Sequence, residues 1–136
     1  MSGEKNLDTL LKSMTAVLHD GVFTFATLRS APEAARIKAK MVFEEAEGTT
    51  LILLEEDATS LGIQSEFPCR MITLNVHSSL EAVGFIARVA TALASAGMGV
   101  NPVSGYFHDH LFVPSGREQD ALQIIAALRS EAEANS

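Results

Sequence analysis

The sequence predicts an α+β fold in which helices cover one face of an antiparallel sheet. Two regions, residues 39–56 and 98–114, each contain a pair of strand-like runs joined by a turn, and a helical pattern follows each pair. Strands that are grouped into hairpins, instead of alternating regularly with helices, are typical of α+β layers. The length of 136 residues and the apolar fraction of 47% are those of an ordinary globular chain that needs no cross-links to fold.

The first half of the chain is predicted to be a helix followed by three strands. Apolar residues recur at helical spacing from Leu7 to Leu18 and predict a helix that ends at the turn Asp20–Gly21. Residues 22–28 are β-branched and aromatic, which predicts a strand. The first hairpin follows, and then a short helix that Gly62 ends. No helix is predicted between this strand and the hairpin.

The second half repeats strands and helices in a similar order. In residues 70–77, Ile72 and its alternate neighbours fall on one face and Thr73 and its alternate neighbours on the other, as in a half-buried strand. An apolar stripe from Val83 to Ala94 predicts a helix. The second hairpin and a last amphipathic helix complete this half. The short polar stretch before the strand therefore predicts a boundary, and we expect residues 1–66 and 67–136 to be two similar modules packed as one unit.

The charge of the chain argues against a nucleic-acid partner. The formal net charge is −7, and acidic residues cluster at residues 44–47 and 55–57. Such clusters repel phosphate backbones and are usually solvated turns. We therefore expect no nucleic-acid binding.

The sequence also lacks the features of a membrane or exported protein. No segment reaches the roughly 18 uninterrupted apolar residues of a membrane helix, and the first residues lack the basic-then-apolar order of a secretory signal. The single Cys69 forms no internal disulfide and is interpreted as a small strand residue without a role. We expect a cytoplasmic protein with no membrane partner.

The stretches "VHSSLEAVGFIA" and "YFHDHLFVP" resemble an uncharacterised bacterial family of tandem ACT-like proteins. The order of strand, glycine-containing loop, helix and hairpin across residues 70–113 resembles an ACT domain more generally, with Gly84 at the glycine of the first loop. The resemblance implies a ferredoxin-like fold made of two ACT-like modules, and a regulatory protein that binds an amino acid. Two departures stand out: His77 replaces the usual acidic residue, and the loop is longer. The amino-acid preference of the family is therefore not carried over.

The loop "HSSLEAVG" has two interpretations. Ser78 and Glu81 form the S-x-x-E pattern of a helix capping box, and Ser115 and Glu118 repeat that pattern before the last helix. Capping leaves Gly84 unexplained, since a glycine inside a helix costs about 1 kcal/mol relative to alanine. Either the helix begins near Gly84 or a ligand approaches its backbone closely.

For the second interpretation, the resemblance implies a ligand carboxylate on the backbone of residues 79–84. A serine hydroxyl would add a contact, and Glu81 would hold the amine of the ligand unless it caps the helix. Asn101, at the end of the next strand, either contacts the ligand or is a turn residue. The predicted ligand-binding residues are Ser78, Ser79, Leu80, Glu81, Val83, Gly84 and Asn101.

The histidines raise the alternative of a metal site. His108 and His110 lie two apart on a strand and share a face, and His77 could be a third ligand for zinc. Strand alternation gives any H-x-H this geometry, so we expect these residues only to support the site. Asp109 shares its face with Leu111 and is expected to bond to loop amides, whereas His110 and its face neighbour Phe112 would meet a partner subunit.

Together with the resemblance, these observations predict a non-catalytic regulatory protein that binds a small molecule and forms a homodimer; the resemblance implies that the ligand is an amino acid. No G-x-S-x-G elbow or phosphate loop is present, and we assign no catalytic residue, no metal and no cofactor. The alternative is an adaptor that binds a protein through its sheet face without a ligand. A metalloenzyme is a third hypothesis.

Overall fold

The computed structural model describes residues 3–135, which form two compact units. Residues 20–69 make one unit, and residues up to 19 together with those from 70 onward make the other. No helix in the described range 3–135 is both long and apolar enough to span a membrane. The elements in chain order are α1 Leu7–Ser13, β1 Ala16–Leu18, β2 Phe23–Leu28, α2 Glu33–Lys38, β3 Met41–Glu45, β4 Gly48–Leu54, α3 Glu55–Ser60, β5 Glu66–Leu74, α4 Phe85–Ser95, β6 Asn101–Ser104, β7 Asp109–Pro114 and α5 Glu118–Ala134.

The unit of residues 20–69 is an antiparallel sheet in the order β3-β4-β2-β5, to which β5 contributes its first residues. The predicted hairpin is confirmed, with Met41 opposite Ile52, and so is the short helix after it. Small alanine side chains on α2 and α3 let these helices pack closely against the leucines of β4. The buried residues of this core are Ala26, Ala31, Ala35, Leu51, Leu53 and Ala58.

The other unit is an antiparallel sheet in the order β1-β5-β7-β6, with α1, α4 and α5 packed on one face. β1 supplies the fourth strand from the N-terminal end of the chain, where Ala16 lies opposite Leu74. The helices bury leucine, isoleucine and aromatic side chains against the sheet. The buried core comprises Leu10, Met14, Ile72, Leu74, Phe85, Val89, Leu93, Met98, Leu111, Val113, Ala121, Ile125 and Leu128.

The predicted first helix is wrong beyond Ser13. The backbone at Met14 is extended, and the residues of β1 pair with β5. The spacing of apolar residues up to Leu18 is compatible with either element, and tertiary pairing with β5 decides in favour of a strand. The absence of a helix before the first hairpin is also wrong: α2 has six residues and buries only Ala35, too few for a visible period.

The strand at residues 70–77 also differs from its prediction. β5 begins at Glu66, so Pro68 lies inside a strand, next to a register shift in its pairing with β2. Bulges of this kind accommodate proline. Thr73 is only 8% exposed, so both faces of the strand are buried instead of one. The division of the sequence into modules 1–66 and 67–136 stays a prediction.

Candidate functional site

Helix α4 begins directly after Gly84, which has left-handed backbone angles of φ +93° and ψ −8°. Side chains with a β-carbon are strained in this conformation, so glycine is favoured here. The first interpretation of Gly84, that the helix begins there, is confirmed. The predicted capping box at Ser78 and Glu81 is wrong. An N-cap at Ser78 would start the helix at residue 79, whereas α4 begins six residues later, at Phe85. The hydroxyl of Ser79 instead accepts a hydrogen bond of 3.1 Å from the Glu81 amide.

The capping box before the last helix is wrong for a similar reason. The N-cap of α5 is Arg117, and no side chain caps the helix. The carboxylate of Glu118 accepts a 2.6 Å hydrogen bond from the amide of Gly116 and faces the guanidinium of Arg70 at 3.0 Å. Glu118 therefore closes the turn and pairs with β5, a role that spacing alone does not reveal.

A cavity of about 140 Å³ lies beside the N-terminus of α4. This volume is below the roughly 300–1,000 Å³ of pockets for drug-sized ligands, so the cavity suits a small molecule. The structure brings three of the predicted ligand residues together with the turn of the second hairpin. The lining residues are Ser78, Ser79, Leu80, Ala82, Phe85, Ile86, Ser104, Gly105 and Asp109.

Three other predicted ligand residues lie outside this lining. Glu81 is exposed, and its carboxylate is 3.6 Å from the ammonium of Lys5. Val83 is 84% exposed. Asn101 is the first residue of β6, opposite Phe112. Gly84 takes part through its backbone, since it sets where α4 begins.

Three backbone amides of the loop, those of Ser79, Glu81 and Ala82, are engaged within the chain, and the binding of a carboxylate by residues 79–84 stays a prediction. The Ser79 amide donates to the Glu4 carbonyl at 2.9 Å, and the Ala82 amide donates to the Ser79 carbonyl at 3.0 Å. The first intrahelical bond of α4 runs from Arg88 to Gly84, and no side chain caps the helix. The amides of the first turn of α4, Phe85 to Ala87, have no partner within the helix, which favours an anion there.

The N-terminal segment holds this loop in place, a contact that the sequence analysis missed. The Glu4 amide donates to the His77 carbonyl at 2.8 Å, and Glu4 and Ser78 form a parallel bridge. Gly3 precedes this bridge with a φ of +92°. In the sequence, only Gly3 indicated a special backbone conformation in this segment. The pairing of so short a segment with the loop is decided by tertiary structure.

The hairpin turn contributes a buried carboxylate to the cavity. Asp109 is 6% exposed, and its carboxylate accepts a 2.6 Å hydrogen bond from the hydroxyl of Ser104, its partner in the register of β6 and β7. Its predicted face, shared with Leu111, is confirmed by their joint burial. The hydrogen-bond partner that the structure gives Asp109 is the Ser104 hydroxyl, and its bonds to loop amides stay a prediction.

Comparison with known proteins identifies the family. Two models of the ACT domain match in tandem, one over residues 2–70 and one over residues 66–128. The chain belongs to the ACT domain family. A comparison with curated protein sequences finds no match.

Solved structures agree with the tandem ACT assignment. A protein of unknown function from Vibrio cholerae, described as a possible transport protein, is 40% identical, with a TM-score of 0.82 over 92% of this chain and 97% of that one. A protein from Agrobacterium tumefaciens is 16% identical, with a TM-score of 0.73 over 85% and 89%. The regulatory subunit of aspartate kinase from Thermus thermophilus, in its ligand-free form, is 9% identical, with a TM-score of 0.62 over 87% and 97%. The predicted α+β, ferredoxin-like fold of ACT type is thereby confirmed.

The histidines of this ACT protein do not assemble into the three-histidine zinc site that was considered. His110 Nδ1 is 2.9 Å from the hydroxyl of Thr73, and His19 Nε2 is 2.6 Å from the same hydroxyl. The rings of His108 and His110 are 6.4 Å apart, whereas His77 lies 5.4 Å from the ring of Phe107. Within residues 3–135, no group of three or more metal-ligating side chains is placed to hold an ion.

An apolar rim flanks the cavity. It consists of Leu80 and Val83 in the loop and Tyr106 and Phe107 in the hairpin turn, which are 60% to 84% exposed. Phe112, which was predicted to meet a partner subunit, is 1% exposed and belongs to the interior. The apolar rim is therefore the exposed apolar surface next to the site.

Cys69 lies in the other unit and has no place in this site. It is buried, and its thiol contacts the Phe23 carbonyl at 3.4 Å. Burial, with a smaller effect from Glu55, raises the pKa of the thiol to about 12. The thiol is therefore protonated at neutral pH, which disfavours a nucleophilic role.

Proposed function

We propose that this ACT protein is a non-catalytic regulatory module that binds an amino acid in the cavity beside α4. The observation that carries the proposal is the meeting of this cavity with the uncapped first turn of a helix that begins at a left-handed glycine. Amides at a helix start attract a carboxylate, and the left-handed backbone of Gly84 sets where that start lies. Membership of the ACT family supports a ligand-binding regulatory role.

Regulation follows from differential affinity. A ligand that binds one arrangement of the loop or of the assembly more tightly shifts the population toward that arrangement. We propose that the assembly is a homodimer that covers the apolar rim, because four exposed large apolar side chains beside one site are unusual for a monomer surface. A cytoplasmic location is part of the same proposal.

The second candidate function is an adaptor that binds a protein without a ligand. The sequence predicts that such an adaptor binds its partner through the sheet face. In the structure, the exposed apolar rim is the surface that favours a protein contact. The adaptor and the regulator differ in one respect: only the regulator needs the backbone at Gly84 for binding.

A thermal-shift screen of dialysed protein against the standard amino acids tests the proposal. A ligand at about 100 times its dissociation constant adds about 2.7 kcal/mol, which raises the unfolding midpoint by several degrees. Gly84→Ala is expected to abolish this shift. Gly97→Ala is the matched control, because Gly97 has a φ of +78° at the other end of α4 with nothing within 4 Å of an added β-carbon. Absence of any shift would favour the adaptor, whereas a shift that Gly84→Ala retains would contradict amino-acid binding at the start of α4.

A further inference from the structure

A second groove lies between α5 and residues 14–16, where the chain passes from α1 into β1. Its volume of about 470 Å³ falls within the roughly 300–1,000 Å³ of small-molecule pockets. It shares no lining residue with the cavity beside α4. This groove is therefore a separate candidate site in the same compact unit.

One face of α5 forms the wall of the groove, and its character changes along the helix. The first half of the wall is apolar, and Ile125 and the neighbouring Met14 are buried beneath it. The second half carries a guanidinium, a hydroxyl and a carboxylate. The residues of this wall recur at helical spacing of three and four: Leu122, Ile125, Ala126, Arg129, Ser130 and Glu133. The groove therefore suits a molecule with an apolar body and a polar head.

The polar end of the groove contains an unsatisfied cation. Within residues 3–135, the Nε of Arg129 is buried and has no hydrogen-bond partner. The nearest printed acceptor, Oε1 of Glu133, is 3.7 Å away, which is too long for a hydrogen bond. A buried N–H without an acceptor costs free energy, so this atom favours an acceptor supplied from the groove. The planar guanidinium matches a carboxylate in geometry and charge.

We infer that this groove binds a monocarboxylic acid with an apolar body, such as a medium-chain fatty acid. The carboxylate pairs with Arg129, and the hydrocarbon body covers Leu122 and Ile125. The single charge follows from Glu133, whose carboxylate in the same lining repels a second negative charge. This site goes beyond the proposed function, because it takes a different class of ligand at different residues.

Calorimetric titration of the full chain with octanoate and with 1-octanol, each below the concentration at which it aggregates, tests the head group. The two probes have the same chain length and differ in charge. Octanoate is expected to bind about tenfold more tightly, the effect of a charge-assisted hydrogen bond. Arg129→Gln should remove this preference. Glu133→Gln should raise octanoate affinity by up to about fivefold, because it removes a like charge.

Filling the groove tests its location. Ala126 lines the groove and is exposed, so Ala126→Leu adds a side chain there without entering the core, and leucine is a good helix former. This variant should weaken the binding of both probes by tenfold or more. Ala127→Leu is the matched control, because Ala127 is the next exposed residue of α5 and lies outside the lining.

Each contrary outcome overturns a defined part of the inference. Equal affinity for the two probes, or a preference that Arg129→Gln retains, overturns the role of Arg129. Equal octanoate binding by Ala126→Leu and Ala127→Leu overturns the location. If the unaltered chain does not bind octanoate and only Ala126→Leu lowers the chain mass in sedimentation, a second copy of the chain occupies the groove instead. The comparison of the two probes on the unaltered chain needs no variant to fold.

Discussion

Gly3 lies so close to Ser79 that a β-carbon added to Gly3 would stand 2.6 Å from the Ser79 amide nitrogen. Backbone atoms cannot yield to such a contact, and the φ of +92° at Gly3 adds strain for any other residue. Two hydrogen bonds between Glu4 and the loop follow directly after this close approach. The N-terminal segment and the candidate ligand loop are therefore held together by a contact that only glycine permits.

Gly3→Ala is expected to detach this segment from the loop. The cost is limited to about 1–3 kcal/mol, because detachment forfeits two backbone hydrogen bonds and the chain then relaxes. Hydrogen exchange at the Ser79 amide is the measurement, and its protection should fall. Gly116→Ala is the control, since Gly116 has a similar φ of +98° with nothing within 4 Å. Unchanged protection of the Ser79 amide in Gly3→Ala would contradict the contact.

Thr73→Val is expected to destabilise the protein by about 1–3 kcal/mol in urea denaturation, since it removes the hydroxyl shared by two imidazoles. The hydroxyl has one proton, so it donates to one ring and accepts from the other. His19 follows β1 and His110 lies on β7, and valine leaves a ring nitrogen of each without this partner. Thr73→Ser keeps the hydroxyl and should retain most of the stability. Equal losses in the two variants would argue against the shared bond.

Glu118 is expected to make the stability depend on pH in the acid range. Its own backbone amide, the Gly116 amide and the Arg70 guanidinium, in that order, lower the pKa of this carboxyl. A lowered pKa in the folded state contributes stability above the unfolded value of about 4.3, and this is lost as pH falls through the folded pKa. Glu118→Gln should therefore cost about 1–3 kcal/mol at pH 7, and the difference should shrink toward pH 3.

Urea denaturation across pH 3 to pH 7 measures this difference. Glu131→Gln is the control, because Glu131 faces Arg88 at 3.6 Å with side chains that are 62% and 40% exposed. Exposed pairs contribute about 0–1 kcal/mol. A Glu118→Gln effect that is constant over the whole pH range would show that the lost contribution is not that of the ionised carboxylate.

Phe107→Ser is expected to weaken the proposed homodimer. Phe107 is 60% exposed and contacts Tyr106 at a ring distance of 5.0 Å, so it is central to the apolar rim. Sedimentation should show twice the chain mass of 14.5 kDa for the unaltered protein and a shift toward the single chain for the variant. Ile37→Ser is the control, since Ile37 is 75% exposed on α2. A monomer at every concentration would contradict the dimer.

The hairpins and the long helices were predictable because their signals are local. Alternating residues place Asp109 and Leu111 on one face, and both are buried. The apolar stripe that ends at Gly97 requires only a helical period, and α4 follows it. The resemblance to the ACT family rested on two short stretches of sequence, and the family matches over residues 2–70 and 66–128 confirm it.

The site was predictable only in part because it depends on contacts between distant segments. The loop residues Ser78, Ser79 and Leu80 were found, but the pairing of Glu4 with Ser78 leaves no pattern in either segment. β1 has three residues, and its identity comes from pairing with β5. The partner of Asp109 also required structure, since a strand pattern gives a side chain its face but not its hydrogen bond.

Amide chemical shifts of ¹⁵N-labelled protein during titration with each standard amino acid test the central claim most directly. We predict that changes in amide chemical shift concentrate at residues 78–87 and 104–109, which surround the cavity. The amide chemical shifts of residues 20–69 should stay unchanged. Gly84→Ala is expected to remove these changes, whereas Gly97→Ala is expected to retain them. Chemical-shift changes confined to residues 20–69, or an unchanged spectrum at millimolar concentrations of every standard amino acid, would contradict amino-acid binding beside α4.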